Sequence, residues 1–339
     1  MAPRSERDEL ADAWRALGGV PAGPGWRTIA VCLGGPCRLL AGRQTPGDEE
    51  ALLIDVGLTR LPAATQLPQG RGFLVANVVA EPPASSAWIA VSRRPDGSLD
   101  LFTAMAEDIV RTLHRIVDPT PASTLRVLLD RVRAWQMFMD RGGDGVLSPE
   151  GELGLVGELV VLAGLVEAGV SGLSACEGWE GPRDGLHDFR WRSGAIEVKT
   201  SSTPPGSFPA RIGSIEQMDD SSVQPLFLAA VRVSQAQSGL TLPEWVEVAR
   251  QRLAGQEAAL ATFDDRVLQG GYSDAHADRY TRTFALHDLR VFPIGPTFPR
   301  LVRSTVPAAI TEVRYQMDLD ALSTASVTLD DALAHIGAI

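Results

Sequence analysis

Residues 148–200 read SPEGELGLVGELVVLAGLVEAGVSGLSACEGWEGPRDGLHDFRWRSGAIEVKT, and the closing run Ala195-Ile196-Glu197-Val198-Lys199-Thr200 decides the fold. The sequence has 31 Lys plus Arg, and Lys199 is its single lysine. Such a skew points to a genome that favours arginine codons, so a surviving lysine marks a task arginine cannot perform. Arginine is a wide, permanently charged fork, whereas lysine is a compact ammonium of tunable pKa that can lie beside a water. Strand side chains alternate, so Glu197 and Lys199 face one side and Ile196 and Val198 the other.

Upstream, His187-Asp188-Phe189-Arg190-Trp191 has the alternation of a partner strand, and Arg192-Ser193-Gly194 has the residues of the turn. Closure around Ser193-Gly194 sets Asp188 opposite Lys199, and a shift of two sets it opposite Glu197. Both registers keep the three charges on one face; a slip of one would send Asp188 to the other. A helix precedes the hairpin. Ser148 suits its N-cap, Pro149 its first position, Glu150 the dipole, and Gly169 its stop. On that helix Glu158 has Leu155, Val161 and Leu162 as neighbours, an apolar setting that is costly for a carboxylate unless a cation or donor meets it. Gly154 and Gly157 would let another backbone come close.

A helical Glu158, then Asp188, then Glu197-x-Lys199 on a hairpin resembles the PD-(D/E)XK nuclease superfamily. More narrowly, the Gly-x-x-Gly-Glu-Leu helix, the His-Asp-Phe strand and Glu-Val-Lys-Thr are similar to a bacterial family of PD-(D/E)XK motif proteins often encoded among anti-phage defence genes. Ala134-Trp135-Gln136 and Phe298-Pro299-Arg300-Leu301 extend the resemblance beyond the core. His187 departs from it, standing where the superfamily has a proline. The resemblance implies a restriction-endonuclease-like core of helix, β-hairpin and mixed sheet flanked by helices, in a protein of α+β or α/β class.

The resemblance and the shared charged face together make Asp188, Glu197, Lys199 and Glu158 the candidate catalytic residues. Asp188, Glu197 and the Val198 backbone carbonyl would offer hard oxygen ligands to Mg2+, with Mn2+ as a substitute and Glu158 acting through a water or completing a second site. Lys199 would hold and help deprotonate the attacking water, or stabilise the pentavalent oxyanion. Arg190, Thr200, Ser201, Arg211 and Gln217 are the candidate DNA contacts, with Arg183 and Arg192 as further local cations. The expected activity is Mg2+-dependent hydrolysis of DNA in a defence system. The alternatives are a catalytically silent DNA-binding or assembly subunit, and a nuclease acting on RNA or on free ends. Cutting both strands would need a homodimer or repeated nicking.

Composition narrows the remaining choices. Hydrophobic residues at 45% and charged residues at 22% suit a globular domain with a large core. No apolar run reaches membrane-spanning length, and the charged stretch Arg4 to Glu9 is not a signal peptide, which predicts a cytoplasmic protein. A net charge of −11 argues against a general nucleic-acid coat protein and suits docking onto another protein that holds the DNA. Cys32, Cys37 and Cys176 are too few and badly spaced for zinc, and packing in a reduced compartment is the expectation. Asp140 to Gly145 half-imitates a calcium loop but has glycine at its third and twelfth positions, so a linker is expected. One lysine cannot supply a phosphate-binding Gly-x-x-x-x-Gly-Lys loop, so any ATPase must be a partner protein. His287-Asp288-Leu289-Arg290 repeats the pattern at 187–190 without a Glu-x-Lys nearby.

The expected organisation is a β-rich module over 1–140 serving recognition or scaffolding, a nuclease core over 146–235, and an α+β extension over 236–339. The first module opens with a helix at 5–17 capped by Ser5. Strands follow at 28–33, 38–41, 51–56, 72–80, 87–92 and 99–102, then helices at 104–116 and 122–139. After the core, a buried strand is expected at 224–234, helices at 243–253 and 256–268, and strands at 281–292 and 312–319.

Overall fold

Apolar residues at helical spacing set the first element, α1 (Glu6–Leu17), which buries Leu10, Ala13, Trp14 and Leu17. The structure, a computed structural model, describes residues 6–18, 23–32, 35–78, 86–116, 119–140 and 146–338. The Ser5 cap, the strand end at Leu33, the end of the 72–80 strand and the joint at 141–145 lie outside them. Contacts divide the chain into two compact units, Met1–Gly143 and Asp144–Ile339.

In the first unit, β1 (Gly25–Val31), β2 (Leu39–Thr45), β3 (Glu50–Asp55), β4 (Phe73–Val78) and β5 (Trp88–Arg93) form an antiparallel sheet in the order β1-β2-β3-β5-β4. Helices α2 (Leu99–His114) and α3 (Pro121–Asp140) follow. The strand expected at 99–102 is instead the first turn of α2. Ser98 caps that helix by accepting from Leu101 N, and Phe102, Met105, Ile109 and Leu113 bury one face. Asp108 of α2 accepts from Arg131 Nε at 2.5 Å and from Trp135 Nε1 at 2.7 Å, tying α3 to α2.

The second unit comprises α4 (Pro149–Glu167), α5 (Gly172–Gly178), β6 (Phe189–Trp191), β7 (Gly194–Ser201), β8 (Pro209–Ile212), β9 (Leu226–Thr241), α6 (Leu242–Arg252), α7 (Glu257–Gln269), β10 (Thr283–Ile294), β11 (Tyr315–Asp318) and α8 (Leu329–Ile336). Its main sheet has the order β10-β9-β7-β6, with β7 and β9 parallel and the other pairs antiparallel. One face packs Ile196, Val198, Phe227 and Val231 against Val156, Leu159 and Leu162 of α4. The other packs Ala195, Leu228 and Ala230 against Phe208 and Ile212, beside the ribbon of β8 and β11. The expected boundary after 235 falls inside β9, whose residues on both sides of that point pair with β10. Elements α5, α8 and β8 were not anticipated.

Candidate active site

Ser148 fixes the start of α4 by accepting from Gly151 N, with Pro149 at the first helical position. Two and a half turns later Glu158 meets the donor that its apolar surroundings demand. Trp179 Nε1 donates to Glu158 Oε2 at 2.6 Å. The Trp179 ring is fully buried and stacks on Phe189 and Phe263, with centroids 6.3 and 5.9 Å away.

The hairpin pairs Phe189 with Ile196, Arg190 with Ala195 and Trp191 with Gly194. Of the two registers open from sequence, this is the one that sets Asp188 beside Glu197. Asp188 stands just before β6, and its Oδ2 accepts from Val198 N at 2.6 Å. Its carbonyl accepts from Glu180 N and Gly181 N at 2.8 and 3.1 Å, so the 179–181 segment folds across the end of β6. Glu197 is 1% exposed. Its Oε1 accepts from Lys199 Nζ at 2.6 Å, while its buried Oε2 has no partner.

Gly181 holds open the space that the carboxylates border. A Cβ there would lie 2.6 Å from Glu158 Oε2 and 2.8 Å from Asp188 Oδ1. Neither Gly181 nor Trp179 was singled out from sequence. A buried glutamate predicts some donor, but residue spacing does not say which loop supplies it.

The electrostatics follow from three carboxylates around one ammonium. Burial, and then Asp188, raises Glu158 well above the usual carboxylate range. Burial raises Asp188, against the pull of Lys199 and the Val198 N–H. Burial and Asp188 push Glu197 up to about 8, although Lys199 opposes the rise. Burial works against the Lys199 ammonium, but Glu197, Asp188 and Glu158 outweigh it and lift its pKa. Each acid ionises more readily if further positive charge arrives beside it. The donor set is hard oxygen with one orphaned carboxylate oxygen, which fits a hard divalent cation. Among the described residues no group of three His, Cys, Asp or Glu side chains already stands in metal-ligating geometry. Lys199, the Val198 N–H and the Trp179 indole each hold one oxygen of the set.

The other candidates divide by exposure. Arg190 on β6 and Arg211 on β8 are exposed, as are Arg183 and Arg192. Thr200 lies on the face of Ile196 and Val198 and is half-buried against Gly157 of α4. Ser201 is buried, with its Oγ 2.8 Å from Thr203 Oγ1, and the Gln217 amide oxygen closes a local turn by accepting from Gly213 N at 2.9 Å. Ser201 and the Gln217 amide thus have polar partners within the chain, and Thr200 packs on α4. His187 is buried, and burial holds its imidazole below the usual range, with Arg190 and Lys199 acting in the same direction.

A family model described as "Putative PD-(D/E)XK family member" matches residues 10–320. The chain belongs to this family. No curated protein and no solved structure matches the chain. PD-(D/E)XK membership accords with the mixed architecture of several sheets flanked by helices, and it supports a nuclease-like role with DNA as substrate and a divalent metal as cofactor. Among the described residues no helix is long and apolar enough to cross a membrane.

Proposed function

We propose that the protein is a metal-dependent DNA endonuclease of the restriction type that serves in anti-phage defence, with Asp188, Glu197, Lys199 and Glu158 as its working residues. The observation that carries this reading is the set of three carboxylates around the chain's single lysine, beside an opening that only glycine leaves clear. The defence setting comes from the resemblance to proteins encoded among such genes.

Asp188, Glu197 and the Val198 carbonyl would hold Mg2+, or Mn2+ in its place. When bound, the ion supplies Lewis acidity and offsets charge developing on the scissile phosphate. Lys199 holds the attacking water and faces the negative charge that grows on the phosphate oxygens. Glu158, fixed by the Trp179 indole, orients a water or completes a second site. A carboxylate of the site takes a proton from the water as its oxygen forms the new bond to phosphorus, the bond to the leaving oxygen breaks with its electron pair, and that oxygen takes up a proton from solvent. Two strands require two such sites, hence two copies or repeated nicking. An ATPase or another defence protein is the expected partner.

The test is cleavage of supercoiled plasmid and linear duplex by the purified protein, with Mg2+ or Mn2+ against EDTA. Metal-dependent cleavage by the wild type, lost in Lys199→Ala and in Asp188→Ala at unchanged circular dichroism, is the expected result. Unimpaired cleavage by either variant would refute the residue assignment. No cleavage by the wild type would favour the silent subunit, and an RNA panel run alongside separates the nucleic-acid class.

A further inference from the structure

Beyond Lys199 the strand β7 runs on to Ser201, which pairs with Arg232, and there the sheet narrows to β9 and β10 alone. Their pairing is irregular at this point. His287 is a bulge between the pairs Leu286–Val233 and Asp288–Arg232, and residues 236–240 are left out between Gln235–Phe284 and Thr241–Thr283. Bulges re-aim side chains, and these present Gln235, Gln237, Ser238 and His287 to solvent. A groove of about 550 Å³ lies against them, lined by Ser202, Thr203, Pro204, Ser234, Gln235 and His287. That size is within the range of small-ligand clefts.

The chemistry of the groove is neutral. Its only Lys, Arg, Asp or Glu is Arg232, 4% exposed and engaged through both terminal nitrogens. Arg232 donates through one terminal nitrogen to the carbonyls of Thr203, Pro204 and Ser207, and through the other to both oxygens of Asp320 at 2.8 Å. It pins the 203–207 loop in place, with both terminal nitrogens committed to oxygens of the chain itself. The rest of the lining offers hydroxyls, an amide, an imidazole, Val233 and two apolar proline rings. Such a set suits an uncharged, planar, hydrogen-bonding group. Glutamine and serine are side chains that read base edges, and glutamine can pair with adenine through both its amide atoms.

We propose that this groove takes a nucleobase of the substrate and gives the protein a sequence preference beside its cut. The inference rests on the nuclease reading for the direction of the strand. Ser202 lies three residues past Lys199, about 10 Å along an extended chain, so the base read is roughly three steps from the scissile phosphate.

The experiment uses the full-length Lys199→Ala protein, selecting bound duplexes from a pool with randomised sequence, with Gln235→Ala and His287→Ala each added to that background. Both residues are exposed, so alanine leaves the core packing alone. A base preference of roughly 5- to 150-fold at one position, lost in Gln235→Ala or His287→Ala while total binding persists, is the expected result. A bound pool without preference, a preference that survives both substitutions, or a protein that binds no DNA would each overturn the proposal. Wild-type cleavage of the same pool is run in parallel. A preference that depends on Gln235 in a protein that never cuts would remove the nuclease reading and keep the groove.

Discussion

A carboxylate buried beside two others ionises at a cost, and Glu197 gives that cost a pH window. Its pKa rises from an ordinary 4.5 to about 8 in the folded chain, chiefly by burial. The folded state therefore binds more protons than the unfolded state between those values, and stability falls as pH rises through them. Glu158 and Asp188 are raised in the same sense. Glu50 and Asp108 act oppositely: burial is outweighed by Arg93 and by Arg131, their pKa values are lowered, and their contribution is already complete above about pH 5. In EDTA the melting temperature should thus fall between about pH 5.5 and 8.5. Mg2+ should flatten the fall by stabilising the ionised acids, and Glu197→Gln should flatten it without metal. A melting temperature that is level or rising in EDTA would contradict the buried-carboxylate account. Gly181 offers a second test. Gly181→Ala puts a methyl 2.6 Å from Glu158 Oε2 and 2.8 Å from Asp188 Oδ1, so Mn2+ affinity by calorimetric titration should drop at least tenfold while the fold persists. Unchanged affinity would move the metal elsewhere.

Elements carry these residues only as well as their packing allows, and α4 against β7 is the critical contact. At Gly157 an added Cβ would collide with Thr200 Oγ1 and lie 2.9 Å from Thr200 Cβ, whereas at Gly154 it meets nothing within 4 Å. The two glycines, alike in sequence, therefore predict opposite outcomes. Gly157→Ala should destabilise by about 1–3 kcal/mol through overpacking and displace the adjacent Glu158. Gly154→Ala should stabilise by roughly 0.5–1 kcal/mol through helix propensity alone. Urea unfolding of both measures this, and equal effects would mean that α4 does not bear on β7 as described. The contrast marks how far sequence reaches. The bounds of α4 and the face split of β7 followed from capping residues and alternation, which are local, whereas alternation left two hairpin registers open. Which glycine touches the strand, which indole reaches Glu158 and how far β9 continues are tertiary facts. The 99–102 segment failed for another reason: four apolar-rich residues after a turn suit a strand or a helix start, and the Ser98 cap decides for the helix.

At the scale of the whole molecule, charge is divided unevenly. Residues 1–143 carry 16 basic and 16 acidic side chains, whereas residues 144–339 carry 15 and 26, so the entire net charge of −11 belongs to the unit with the candidate site. A surface of that sign repels duplex DNA at long range, and attraction is left to local cations. Among the described residues, Arg183, Arg190, Arg192 and Arg211 are exposed on or close to the hairpin in sequence or structure. Each neutralised phosphate contributes about −0.9 to the slope of log K against log salt for duplex DNA, so four contacts give a slope no steeper than about −4. The protein should therefore bind DNA weakly and with modest salt dependence, leaving specificity to the groove and much of the holding to a partner. Binding of the Lys199→Ala protein to a labelled duplex across a salt series measures the slope. Arg190→Ala should weaken binding to all sequences alike and flatten the slope by about 1, the signature of a phosphate contact. A slope steeper than about −7 would mean that further cations, those of residues 1–143 included, grip the backbone, and DNA holding would then be intrinsic to this chain.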